Sequence, residues 1–199
     1  VGCVPYSYWD WVNEVLDNLG YGGDWEGVFA HCNALRKAYM CNWAFELYVA
    51  NAENEPGHVF YGLGAPGYAT PYTRWDYLRC KHYKERPTPM AAVAYSSWWS
   101  SLFWKFVAHE VGHVFGGVDE YEADDGQCNS GKCDDRWGYL QVKNGNCESC
   151  NQQPVPCMMR ANNDQQLCDF TVAHVGWRDT DADGVADPID PTTAAGCLS

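Results

Sequence analysis

The sequence predicts an α/β fold of the α+β kind, and three observations carry that prediction. Apolar residues recur at helical spacing in two segments before residue 41 and in a third from Leu102 to Phe115. Short aliphatic and aromatic runs of strand length lie between the second and third of these segments. Beyond Tyr121, glycine, asparagine, aspartate and cysteine dominate to about Pro156, the composition of irregular, cross-linked chain.

Residues 9–19 place Val12, Val15, Leu16 and Leu19 on one helical face, and residues 25–40 do the same with Val28, Phe29, Cys32, Leu35 and Tyr39. Both stripes read as core faces. Residues 43–51, 58–63 and 90–95 read as strands, and the stretch 64–89, full of Gly, Pro and Tyr, reads as a long ordered loop. A third helix follows, with Ser100 or Ser101 as N-cap, an apolar face of Leu102, Phe103, Phe106, Val107, Val111, Val114 and Phe115, and a stop at Gly116-Gly117. A last helix is expected within residues 163–175, ahead of an acidic tail.

The chain of 199 residues, 46% of them hydrophobic, is long enough for one good core with a small appendage. The expected division is a main domain at 1–176 and a tail at 177–199. Its longest apolar runs, such as residues 90–95, fall far short of the ~20 residues that span a bilayer, so no membrane span is expected. Residues 1–6 have neither the basic start nor the apolar stretch of a signal peptide, as in a mature or trimmed product. A formal net charge of -13 repels phosphate backbones and anionic lipid surfaces, so nucleic acid is excluded as a partner.

Eleven cysteines are too many for an ordinary reduced enzyme and point to a secreted, extracellular protein. Cys147-Glu148-Ser149-Cys150 is a CxxC pair that could join Cys128 and Cys133 in a four-cysteine zinc site. The spacing of Cys128 and Cys133 and the Gly- and Asn-rich surroundings favour disulfides instead. Cys128 with Cys133, or Cys157 with Cys168, would close short loops, and the odd total leaves one thiol free or paired outside this chain.

The chemistry concentrates on the third helix. In His109-Glu110-Val111-Gly112-His113 the two histidines stand at i and i+4, on one helical face, where both imidazoles reach one ion. Glu110 follows the first histidine, in position to take a proton from a water on that metal. Zinc needs a third protein ligand and an open position. Gly116 allows a sharp turn, after which Asp119 arrives six residues beyond His113 with an anionic oxygen, and His174 or Glu120 are the next candidates.

The string His109-Glu-Val-Gly-His-Val-Phe-Gly-Gly-Val-Asp-Glu-Tyr121 resembles the extended metzincin signature, with aspartate in place of the third histidine. Within that clan it is similar to the snapalysin-like and IgA-peptidase-like zinc metalloproteases. The resemblance implies a metzincin-like fold: a twisted sheet, an active-site helix and an irregular, disulfide-rich lower subdomain. It implies zinc held by His109, His113 and Asp119, with Glu110 as general base. It also implies a methionine turn, for which Cys157-Met158-Met159-Arg160 supplies Met159. Many metzincins carry a tyrosine two residues past that methionine, where this chain has Ala161, so oxyanion stabilisation has to come from another group.

The tail reads Asp179-Thr-Asp181-Ala-Asp183-Gly184-Val185-Ala-Asp187-Pro-Ile-Asp190, with oxygen ligands at loop positions 1, 3, 5, 9 and 12, glycine at 6 and the Val185 carbonyl at 7. That arrangement suits calcium and resembles a thrombospondin type 3 or dockerin-like loop. The expected function is that of a secreted zinc-dependent endopeptidase, hydrolysing peptide bonds through a Glu-activated zinc-bound water. Its partner would be a protein or peptide substrate, glycoproteins included by analogy. The alternatives are a zinc-bearing adhesion or glycan-binding module without turnover, suited by the aromatic surplus, and a non-peptide hydrolase using the same water.

Overall fold

The computed structural model describes residues 8–23, 25–41, 43–54, 67–70, 75–76, 81–82, 90–122, 127–150, 153–160 and 165–187. In chain order the elements are α1 (Tyr8–Leu19), α2 (Trp25–Tyr39), β1 (Glu46–Asn51), β2 (Gly67–Thr70), β3 (Trp75–Asp76), β4 (Lys81–His82), β5 (Met90–Tyr95), a 3-10 turn (Ser97–Trp99), α3 (Phe103–Val114), β6 (Arg136–Trp137), β7 (Val142–Lys143) and α4 (Asp169–His174). This is an α+β fold with a small sheet and disulfides. It forms two compact units, residues 1–73 with 84–114 and residues 74–83 with 115–199.

In the first unit, β5 lies between β1, to which it is parallel (Glu46 opposite Met90, Asn51 opposite Tyr95), and β2, to which it is antiparallel (Gly67 opposite Val93, Thr70 opposite Met90). Its central place matches its sequence: residues 90–94 are apolar without alternation, and all five are buried. One face of the sheet gives Tyr48, Met90, Ala92 and Ala94 to a core closed by Val12 and Leu16 of α1 and by Val28 and Cys32 of α2. Each of those helical pairs is spaced i, i+4, so the predicted stripes are the faces that pack. Full burial of each Val, Leu or Met contributes roughly 1.5–3 kcal/mol, which makes this core the main support of the unit. Helix α3 packs on β5 and β2.

Helix ends follow local backbone chemistry. Gly20, at φ 81°, ends α1 while the Tyr21 N–H reaches the Leu16 carbonyl. Met40, at φ 50°, takes the corresponding left-handed place after α2, so that helix stops one residue short of the predicted end. Helix α3 also starts later than a Ser100 or Ser101 cap requires. Ser96 caps the 3-10 turn instead, accepting the Trp98 N–H at 3.3 Å, and the Leu102 carbonyl receives the Lys105 and Phe106 N–H groups. The expected loop over 64–89 contains β2, β3 and β4. Gly-Tyr-Ala-Thr in β2 has no apolar alternation to announce it, and its place in the sheet comes from backbone pairing with β5. The expected strand at 58–63 lies outside the described residues.

Among its described residues the second unit has little regular structure. Its buried cluster of Cys157, Met159 and Cys168, with Phe170 against it, is small beside the core of the first unit. Disulfides Cys128–Cys147 and Cys133–Cys150 tie it instead, so the four-cysteine zinc alternative is set aside and the expected Cys128–Cys133 bridge is replaced. The β6–β7 hairpin folds the chain back on itself, so cysteines before it meet cysteines after it rather than each other. Gly138 at the hairpin turn has φ 68°, and a Cβ there would lie 2.2 Å from the Cα of His174, so only glycine lets the hairpin approach α4. The last helix occupies only Asp169–His174 of the expected 163–175, with Cys168 as its N-cap. No helix among the described residues is long and apolar enough to cross a membrane.

Candidate metal centre

Helix α3 carries His109 and His113 on consecutive turns, with Glu110 next to the first. His109 and Glu110 are buried, at 4% and 9% exposure, and His113 is half-buried. The two imidazoles meet edge to face, with their Nε2 atoms 3.1 Å apart. Two ring nitrogens that close lie as ligands of one ion lie, and the i, i+4 spacing is what brings them there. Asp119 completes the group: one ligand atom from each of His109, His113 and Asp119 lies within 4.8 Å of the others. These residues can hold a divalent metal. Two imidazoles and a carboxylate are a borderline-hard donor set that suits zinc and leaves a tetrahedral position open.

Asp119 is not on a helix, so the surrounding chain must fix it. After α3, Gly116 adopts φ 90°, a turn that a residue with a side chain rarely makes. The Asn144 side-chain amide then donates to the Asp119 carbonyl at 2.7 Å. The stronger anchor is the next residue. Glu120 is fully buried, and its carboxyl oxygens accept from Asn146 Nδ2 at 2.6 Å, Thr171 Oγ1 at 2.8 Å and Cys168 Sγ at 2.9 Å. Its N–H donates to the Met159 carbonyl at 2.9 Å, and its own carbonyl accepts the Glu148 N–H at 2.9 Å. Glu120 is therefore held in its own polar network and is not a member of the His-His-Asp group.

Met159, expected at a methionine turn, is fully buried in a turn closed by the Arg160 N–H on the Cys157 carbonyl at 3.0 Å. Arg160 reaches the Asn146 carbonyl at 2.6 Å and pairs with Glu148 at 3.7 Å, linking that turn to the Glu120 network. Ala161 lies outside the described residues. His174, one of the other third-ligand candidates, is fully buried in α4 and does not gather with His109 and His113. Burial pushes its imidazole down to about 4, opposed by Glu120 and by backbone contacts at Val142 and Lys143. Cys157 and Cys168, the other expected bridge, are buried and not joined to each other, and with Glu120 they form a second group in which ligand atoms lie within 4.8 Å.

In the tail, Asp179, Asp181 and Asp183 gather within 4.8 Å, the third group of this kind among the described residues. Asp179 accepts the N–H groups of Asp183 at 3.2 Å and Gly184 at 2.8 Å, and Asp183 accepts that of Val185 at 2.8 Å. Left-handed backbone at Ala182 (φ 59°) and Gly184 (φ 91°) makes this tight wrap. Asp187 stands apart from the three: both its oxygens are taken by Thr180, at 2.8 Å each, and it is buried. Asp190 lies outside the described residues.

The sequence did not reveal Asn144, Asn146 and Thr171, the residues that hold Asp119 and Glu120. They are single polar residues with no spacing that marks them, and only long-range folding brings them to the site. No known protein-family model, curated protein or solved structure matches this chain.

Proposed function

We propose that this chain is a secreted zinc-dependent endopeptidase in which His109, His113 and Asp119 hold the metal and Glu110 is the general base. The observation that carries this reading is the meeting of the His109 and His113 Nε2 atoms at 3.1 Å, with Asp119 in reach and Glu110 beside the first histidine. Zinc, when bound, supplies Lewis acidity: it polarises a carbonyl oxygen and makes water acidic enough to lose a proton near neutral pH. Glu110 takes that proton during attack and hands it to the departing amine. Its burial strengthens both transfers by excluding competing water. Met159 is the methionine of the turn that this reading requires, buried and bonded through its carbonyl to the Glu120 N–H. Strand β2, an edge among the described strands, is where an extended peptide would pair through backbone hydrogen bonds.

In the same reading, residues 1–176 form the catalytic domain and residues 177–199 a calcium-binding tail, with Asp179, Asp181 and Asp183 at its centre. The rival is a metal-bearing adhesion or glycan-binding module without turnover, favoured by the exposed Trp98 and Trp104, at 78% and 72% exposure. Digestion of a mixed peptide library by the zinc-loaded protein, read by mass spectrometry, separates the two. The peptidase cleaves, and Glu110→Gln, which keeps every ligand, binds zinc equally while cleavage falls about 10²–10⁴-fold. Undiminished cleavage by Glu110→Gln overturns the mechanism, and no cleavage by the parent selects the rival.

A further inference from the structure

Cys157 and Cys168 take no part in the chemistry above, yet they occupy both anchors of the segment that carries Asp119. Cys157 precedes by two residues Met159, whose carbonyl receives the Glu120 N–H. Cys168 caps α4 and donates its S–H to the Glu120 carboxyl at 2.9 Å. The two thiols are neighbours. Their sulfurs lie within 4.8 Å of each other, both contact the Thr171 hydroxyl, and the Cys168 N–H points at the Cys157 sulfur at 3.3 Å. Both are buried, at 0% and 6% exposure, in a unit whose other described cysteines are already paired as disulfides.

We propose that Cys157 and Cys168 form a convertible dithiol–disulfide site whose oxidation clasps the Met159 turn to the start of α4 and so steadies Asp119. A unit that keeps two disulfides in the same surroundings folds where thiols are oxidised, and the sulfurs of these two already lie within 4.8 Å of each other. The oxidant is a low-molecular-weight disulfide. One protein thiol displaces half of it, giving a mixed disulfide and one small thiol; the second protein thiol displaces the other half, giving the Cys157–Cys168 bond and a second small thiol. Two electrons pass to the small disulfide, and the two protons leave on the small thiols. Glu120 loses the Cys168 S–H but keeps Asn146 and Thr171. Backbone motion between residues 157 and 168 is then confined by a covalent bond.

The pairing stands without the peptidase reading, whereas its effect on zinc rests on Asp119 as a ligand, and the test separates these. The full chain is equilibrated in glutathione buffers of graded ratio, its free thiols are alkylated, and the proteolytic peptides are mapped without reduction. The expected result is a peptide pair joined through Cys157 and Cys168 under oxidising ratios and two alkylated thiols under reducing ones. Zinc retention against a competing chelator is then measured in both forms. It should be several-fold greater in the oxidised parent and unaffected by redox state in the Cys157→Ser, Cys168→Ser double variant, which keeps the other two disulfides. Should that variant fail to fold, the peptide map of the parent still decides the pairing. Free thiols at every ratio overturn the pairing, as do thiols that become alkylatable only after metal is chelated, which would make Glu120, Cys157 and Cys168 a second metal site. Pairing without a change in zinc retention overturns the clasp alone.

Discussion

Substituting Glu120 tests how a residue outside the proposed ligand set controls one within it. In Glu120→Ala, three accepted hydrogen bonds disappear. The losses are unequal. Thr171 Oγ1 can turn to Cys157 Sγ, already 3.2 Å away, and Asn146 Nδ2 keeps the Val155 carbonyl at 2.9 Å. The other Asn146 amide hydrogen is left buried and unmet, at about 1–3 kcal/mol. One buried methylene is deleted as well, at roughly 0.8 kcal/mol. The expected destabilisation is therefore about 3 kcal/mol, measured by urea titration of the metal-free protein. Freed from its neighbour's anchor, Asp119 should hold zinc on the order of tenfold or more weakly, the usual cost of removing an outer support of a ligand. Chelator competition on folded protein gives that number. The conservative Glu120→Gln keeps one acceptor for Thr171 and Cys168 and should recover part of both losses. Parental zinc affinity in a folded Glu120→Ala protein would show that Asp119 needs no such anchor.

Three further outcomes follow from the same geometry. Asp119→Ala should lose most zinc affinity and peptide cleavage while the unfolding midpoint of the metal-free protein stays near that of the parent; zinc retained in full would move the third ligand elsewhere. His174 gives a pH dependence with a definite sign. Its folded value of about 4 lies below the ordinary 6.5, so the unfolded chain protonates first and stability, complete above pH 6.5, is lost as pH falls toward 4. By pH 5 the loss is roughly 2 kcal/mol in the metal-free protein, and His174→Gln should flatten that slope. In the tail, calcium at 100 times its dissociation constant should add about 2.7 kcal/mol to whatever unit contains the loop, read as slower proteolysis between Trp177 and Asp187 at fixed zinc. Equal cutting with and without a calcium-selective chelator, unchanged by Asp181→Ala with Asp183→Ala, would make the segment an acidic linker.

The legible parts of the sequence are those governed by short-range periodicity. Helices α1, α2 and α3 and strand β5 were visible because their packing faces repeat within a few residues, and His109 and His113 because helix geometry fixes their separation. Asp119 was visible through its spacing from His113 and the resemblance of the extended string, and its 4.8 Å grouping with the histidines depends on much more than spacing. What lay hidden was set by long-range pairing. Strand β2 carries no apolar pattern, the disulfide partners are chosen by the β6–β7 hairpin, and Asn144, Asn146 and Thr171 meet residues 119 and 120 across 25 to 51 positions of chain.

The residues proposed as ligands are supported in two ways, with different physical consequences. His109 and His113 sit on a helix of twelve residues that packs against the sheet of the first unit. Their relative geometry is held by backbone hydrogen bonds of that helix and survives as long as it does. Asp119 belongs to chain with almost no regular structure among its described residues, where the buried apolar cluster they form is three residues and the ordering is done by side-chain hydrogen bonds and disulfides. Polar networks of that kind fix a unique geometry when every member is satisfied and lose it when one is removed. Progressive perturbation should therefore release the aspartate before the histidines. With reductant or mild denaturant, metal would pass through a state held by two imidazoles, visible as a loss of affinity that precedes loss of helix signal. Simultaneous loss of both would mean that α3 and the chain around Asp119 unfold as one cooperative body.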